Sequence, residues 1–127
     1  FEHPFEFTSG RGAGGATRTG VNVLGRITGT RTPDRAIVVT AHYDHLGVRN
    51  GVVFNGADDN ASGTAALFAL AKYFSANRPA NTIIFAALDA EESGLQGARR
   101  FVAEPPVPLA QLALNINLDM IGRDAKD

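Results

Sequence analysis

The segment Ala36-Ile37-Val38-Val39-Thr40-Ala41-His42-Tyr43-Asp44 passes without a break from apolar to ionisable residues. Its first six positions are largely β-branched and carry no charge. A run of that kind reads as a strand buried on both faces, as in a parallel sheet covered by helices. Its last three positions put an imidazole and a carboxylate just past the carboxyl end of that strand. In open α/β sheets this is the edge where ligands bind.

Downstream, Asn50-Gly51 and Asn55-Gly56 mark a loop, with a small hairpin around Val52-Val53. The sequence predicts a helix over 62–77, because Leu67, Leu70, Ala71 and Phe74 recur at helical spacing and Ser62 can cap the first turn. A second buried strand is predicted over 82–90, centred on Ile83-Ile84-Phe85, and a short helix over 94–103, stopped by Pro105-Pro106. The stretch 113–121 alternates, with Leu114, Ile116, Leu118 and Met120 on one side and Asn115, Asn117 and Asp119 on the other. Upstream, Thr32-Pro33-Asp34 signals a turn and 22–30 reads as a strand. Residues 1–20, with glycines at 10, 12, 14, 15 and 20, read as loop. Strands alternating with helices predict an α/β fold, layered α/β/α about a largely parallel mixed sheet.

Composition excludes several function classes. Hydrophobic residues make up 44% and charged residues 20% of the 127, ordinary for a globular protein and unlike a disordered one. A net charge of −1 argues against a nucleic-acid binder. The longest apolar runs, 65–71 and 83–88, fall far short of the ~20 residues of a membrane span. With no cysteine there is no disulfide, thiol nucleophile or Cys-ligated zinc. Neither His-Glu-x-x-His nor Gly-x-Ser-x-Gly occurs. Gly10-Arg11-Gly12-Ala13-Gly14-Gly15 fits the dinucleotide fingerprint, but no strand is predicted before it and no helix after it. The sequon Asn60-Ala61-Ser62 falls inside the proposed site and reads as fortuitous.

The carboxylates are unevenly spread: Asp44; Asp58 and Asp59; Asp89, Glu91 and Glu92; and Asp119 form four clusters. Three of them end or follow predicted strands, and Asp58 and Asp59 precede the first helix. A parallel sheet brings all four to one edge. Carboxylates gathered there raise one another's pKa unless a cation offsets them. No lysine or arginine lies within these segments, so a metal is the physical solution. One histidine with several carboxylate oxygens suits zinc, and also manganese or cobalt.

Four ordered motifs carry a resemblance: His42-Tyr43-Asp44-His45-Leu46-Gly47; Asn55-Gly56-Ala57-Asp58-Asp59-Asn60-Ala61-Ser62-Gly63; Asp89-Ala90-Glu91-Glu92-Ser93-Gly94-Leu95-Gln96-Gly97; and Asn117-Leu118-Asp119-Met120-Ile121-Gly122. Together they resemble the co-catalytic zinc exopeptidases of metallopeptidase family 28. That family includes bacterial leucyl-type aminopeptidases, glutamate carboxypeptidases and glutaminyl cyclases. The resemblance implies two Zn2+ ions per complete catalytic domain. His42 and Asp119 would hold one, Glu92 the other, and Asp59 both; Asp44 would orient the His42 ring, and Glu91 would be the general base. It also implies a cis peptide at Asp59–Asn60. The choice of Asp59 over Asp58 rests on counting back from Ser62, and Asp58 reads as a loop hydrogen-bonder. Glu91 and Glu92, adjacent in an extended chain, would point apart, one to metal and one to the attacking water. His45 and His3 read as bystanders, Asp89 as a strand-end residue.

The expected function is a metal-dependent exopeptidase, an aminopeptidase that hydrolyses N-terminal peptide bonds with a hydroxide held between its metals. A glutaminyl cyclase-type zinc acyltransferase and a catalytically silent binding or receptor domain are the alternatives. The shared Asp59 favours two metals over the single zinc of the cyclases, and the Glu91 base argues against silence. The family draws a second histidine ligand from well past its Asp119 equivalent. The chain, 1–127, therefore reads as the N-terminal part of one zinc-peptidase catalytic domain, its second metal position incomplete and the fragment inactive alone. Its partners would be a peptide substrate, with no nucleic acid and no membrane span, and an uncovered sheet edge is open to self-association. The expected location is periplasmic or secreted.

Overall fold

A computed structural model describes residues 1–9 and 15–123. Strand β3 (Thr32–His42) lies between β6 (Asn81–Leu88) and β7 (Leu112–Asn117), parallel to both. On the far side of β6, β2 (Ala16–Ile27) pairs antiparallel, and β1 (Glu2–Ser9) pairs antiparallel with β2. The order is β1-β2-β6-β3-β7, so the parallel character is confined to the three strands nearest the site. A short hairpin, β4 (Gly47–Arg49) and β5 (Val52–Phe54), stands apart.

Helix α1 (Ala61–Ala76) links β3 to β6, and α2 (Gln96–Ala103) lies between β6 and β7. They cover opposite faces. Leu67, Leu70, Ala71 and Phe74 of α1 pack on Val39, Ala41, Ile83 and Phe85. Phe101 and Ala98 of α2 pack on Val38, Ile84, Ala86 and Leu24. Successive strand residues point to opposite faces, so the unbroken apolar runs of β3 and β6 fill both layers. The α/β/α layering read from the sequence is the observed architecture. No helix among the described residues is long and apolar enough to cross a membrane.

Several local expectations are corrected. Residues 1–20 are not loop: 2–9 and 16–20 are strand, paired from Glu2↔Val23 to Ser9↔Ala16. Only Phe5 of β1 is buried, so the strand shows no apolar run, and its edge position tolerates Pro4. The predicted 22–30 strand starts earlier, at Ala16, and the residues expected to turn, Thr32-Pro33-Asp34, are the start of β3. Helix α1 is capped by Asn60, whose Oδ1 accepts from the Gly63 amide at 3.0 Å, while the Ser62 hydroxyl donates to the Asp58 carbonyl at 2.7 Å. The last strand stops at Asn117, so Asp119 lies beyond it. Of the fingerprint-like glycines, 10–14 lie outside the described residues; a strand precedes the segment, and the strand β2, not a helix, follows.

Candidate metal centre

The register places the carboxyl ends of the parallel strands side by side: His42 is opposite Leu88, and Thr40 opposite Asn117. The residues just past those ends therefore converge. Asp59 arrives from the other direction, at the start of α1, across a cis Asp59–Asn60 peptide. Buried Asn60 ties this turn to the end of β7. Its Nδ2 donates to the Leu118 carbonyl at 2.9 Å, and its Oδ1 accepts from the Met120 amide at 3.3 Å.

His42 is buried, and its Nδ1 lies 3.1 Å from the Asp44 carbonyl oxygen. That contact requires the proton on Nδ1 and leaves the Nε2 lone pair free. Nε2 stands 3.1 Å from Asp59 Oδ1 and 3.6 Å from Asp119 Oδ1. A lone pair facing two carboxylates is repulsive unless a proton or a metal ion lies between them. Ligands on a tetrahedral zinc with bonds of ~2.0–2.1 Å stand about 3.3–3.4 Å apart, so the donor set fits the ion. The atoms of His42, Asp59 and Asp119 lie within 4.8 Å of one another.

A second group adjoins the first. His45 Nδ1 is 3.0 Å from Glu92 Oε1 and 3.9 Å from Asp59 Oδ2, and these atoms too lie within 4.8 Å of one another. Asp59 turns one oxygen to each group. Among the described residues no lysine or arginine pairs with Asp59, Glu92 or Asp119. Asp58 faces away, accepting from the Gly122 amide at 2.8 Å and from Arg123 Nε at 3.1 Å. The Gly122 amide, with Arg123, holds its carboxyl below the usual carboxylate range.

Glu91 and Glu92 do not continue β6 as extended chain. Strand β6 ends at Leu88, and Ala90 takes a left-handed φ of 54° that turns the backbone. Asp44 fixes the turn: its Oδ1 accepts from the Glu91 amide at 2.9 Å and its Oδ2 from the Glu92 amide at 3.1 Å. The nearer Asp44 contact to the His42 ring is its backbone carbonyl, with the carboxylate at 3.5 Å. Asp89 secures the same turn from the other side, accepting from the Val21 amide at 2.9 Å.

Glu91, His42 and Asp119 line one cavity of about 540 Å³ beside α2, while His45 and Asp59 line another of about 550 Å³. Burial pushes the Glu91 carboxyl up, with Glu92, Asp44 and Asp119 adding to the rise against the opposing His42 charge. Burial pulls the His42 imidazole down, but Glu91, Asp119 and Asp44 outweigh it and the net direction is up. The site thus attracts positive charge.

His42, Asp44, Asp59, Glu91, Glu92 and Asp119 are therefore brought to one sheet edge. His45, read as a bystander, joins them. Its three-residue offset from His42 was visible in the sequence, but Glu92, its partner, lies 47 positions away.

Layered α/β domains with histidine and carboxylate donors at the carboxyl edge form the class to which this chain conforms. Residues 22–127 match the profile of peptidase family M28, and the chain belongs to that family. A probable zinc metalloprotease of Leptosphaeria maculans is 34% identical over 110 residues, covering 84% of this chain and 25% of the relative. The structure of BSAP, a zinc aminopeptidase from Bacillus subtilis, superposes with a TM-score of 0.69 at 34% identity, over 83% of this chain and 25% of that one. An Acidobacteriales bacterium glutaminyl cyclase superposes with a TM-score of 0.71 at 26% identity, over 99% of this chain and 48% of that one. The chain spans a quarter or less of the length of the curated relatives it matches first.

Proposed function

We propose that the chain carries the core of a zinc-dependent peptidase site, and that the whole protein is an aminopeptidase. The observation that carries this reading is the free Nε2 of His42 facing Asp59 and Asp119, with Glu91 in the wall of the same cavity. Likeness to BSAP, a zinc aminopeptidase, supports the finer assignment. His42, Asp59 and Asp119 would hold one divalent ion. Such an ion supplies a Lewis acid that polarises the scissile carbonyl and acidifies water.

The other steps belong to the chain itself. Glu91, its carboxyl pushed up by burial and neighbouring charge, takes the proton of the attacking water and delivers it to the leaving amine. The hydrogen bonds that the Glu91 and Glu92 amides donate to the Asp44 carboxylate hold both residues in the turn that separates their side chains. The carbonyl of Asp44 keeps the His42 proton on Nδ1.

In the full protein, Glu91→Gln is expected to keep its metal content and lose at least ~10²-fold in kcat on an aminoacyl anilide, the usual worth of a general base. Near wild-type turnover by the metal-replete variant removes Glu91 from the mechanism. A glutaminyl cyclase is the second reading, favoured by the superposition on the Acidobacteriales cyclase. Release of ammonia from an N-terminal glutaminyl peptide, without anilide hydrolysis, would select it.

A further inference from the structure

Resting on the base role given above to Glu91, we propose that Asn22 of β2 is its positioning residue: the buried Asn22 side chain closes the base of the loop, residues 89–97, that carries Glu91. The β2–β6 ladder runs from Ile27↔Ile83 to Val23↔Ala87. Beyond that pair β6 leaves toward the site, and side chains take over from the ladder. Asn22 Oδ1 accepts from the Asp89 amide at 3.1 Å, and Asn22 Nδ2 donates to the Gly97 carbonyl at 2.8 Å. One side chain thus joins the two ends of the loop. The Val21 amide adds a third bond, donated to the Asp89 carboxylate at 2.9 Å. Gly97 is required for the approach, because a Cβ there would collide with Asn22 Oδ1 and stand 2.8 Å from the Asp89 nitrogen.

Asn22 is completely buried, and both its polar atoms are bonded to this loop. A buried amide is costly wherever its partners are lacking. The sheet itself does not call for one here, since Leu24, next on the same face, serves the core with an apolar side chain. The loop does call for holding. Ala90 and Leu95 take left-handed φ values of 54° and 60°, which residues other than glycine adopt only when their surroundings impose them. Within the loop the Glu91 carbonyl accepts from the Gly94 and Leu95 amides at 2.8 and 2.9 Å, and the Asp89 carbonyl from the Gly97 amide at 2.9 Å. The Glu91 amide is held by Asp44. Asn22 anchors this closed loop to the sheet. Without it the left-handed residues can relax and carry the Glu91 carboxyl away from the cavity it lines with His42 and Asp119.

The test is a double-mutant cycle in the zinc-saturated full protein, assayed on an aminoacyl anilide, with amide hydrogen exchange as a readout independent of activity. Asn22→Ala is expected to lower kcat by about 10²-fold with KM unchanged, the effect of a ~1 Å misplacement. Asn22→Asp keeps the acceptor for the Asp89 amide and should lose less; it carries the cycle if Asn22→Ala does not fold. In a Glu91→Gln background either substitution should lower kcat no further, because the group being positioned is already gone. Exchange should quicken at 89–97 in Asn22→Ala and stay unchanged in β3, which shows that the variant folds. Wild type needs no variant: its Asp89 and Gly97 amides should exchange as slowly as those of β6. Wild-type kcat in both Asn22 variants, equal losses in both backgrounds, or wild-type Asp89 and Gly97 amides that exchange like an exposed loop overturns the inference and leaves the proposed function standing. Near wild-type turnover by metal-replete Glu91→Gln, or a wild type that hydrolyses no anilide, overturns both.

Discussion

Asp44 spends its carboxylate on two backbone amides, those of Glu91 and Glu92, and its carbonyl on the His42 ring. One residue thus sets the tautomer of a candidate ligand and the direction of two glutamates. Asp44→Ala would leave both amides without an acceptor. It should destabilise the chain by ~1–3 kcal/mol in urea unfolding. It should also weaken zinc binding at least ~10-fold, as losing an outer partner of a metal site does. Asp44→Asn keeps one carbonyl oxygen and should fall between. An Asp44→Ala chain with wild-type stability and zinc affinity would show that the clamp is idle. The resemblance implied only that Asp44 orients the His42 ring, and its carboxylate lies 3.5 Å from His42 Nδ1; the further partners, the Glu91 and Glu92 amides, lie far along the chain and were not legible. Asp59 could be chosen over Asp58 by counting from Ser62; only the fold shows Asp58 turned toward Gly122 and Arg123.

The start of α1 and the end of β7 behave as one unit joined through Asn60. Its side chain caps the helix at Gly63, donates to the Leu118 carbonyl and accepts from Met120. Gly63 is required for the close approach, because a Cβ there would collide with the Leu118 carbonyl and lie 2.5 Å from Asn60 Oδ1. Asn60→Ala removes a helix cap and leaves a carbonyl unpaired, a combined cost of about 2–3 kcal/mol. Asn60→Asp keeps the capping oxygen and should lose less. Both costs are read from the denaturant midpoint, and equal stability of Asn60→Ala and wild type would dismiss the junction. The buried stretches 36–41 of β3 and 82–88 of β6 were legible because they are uncharged and largely apolar; the exposed first four residues of β3, Thr32 to Arg35, were not, since Thr32-Pro33-Asp34 reads as a turn. Strand β1 was not legible either, since an edge strand with one buried residue, Phe5, carries little pattern. The Glu91–Glu92 turn was misread as extended because nothing local announces a left-handed alanine at position 90.

Across the molecule, the layers and the site have a single cause. Parallel pairing of β6, β3 and β7 aligns three carboxyl ends, and the crossover from β3 through α1 brings Asp59 to the same edge. The donors come from segments that meet only when the sheet is formed, so metal binding reports on the fold as much as on the site. The layering and the edge were legible because they follow from the alternation of strands and helices. The antiparallel half of the sheet was not, since pairing direction leaves no mark on β2 itself. That Asp59 is the carboxylate around which a zinc centre is built is tested most directly by anomalous diffraction at the zinc edge from crystals of the zinc-loaded chain. The predicted result is a peak bounded by His42 Nε2 and by oxygens of Asp59 and Asp119, at about 2.0–2.2 Å from each. Zinc found only at sites away from Asp59, or a folded chain that takes up no zinc, would contradict it.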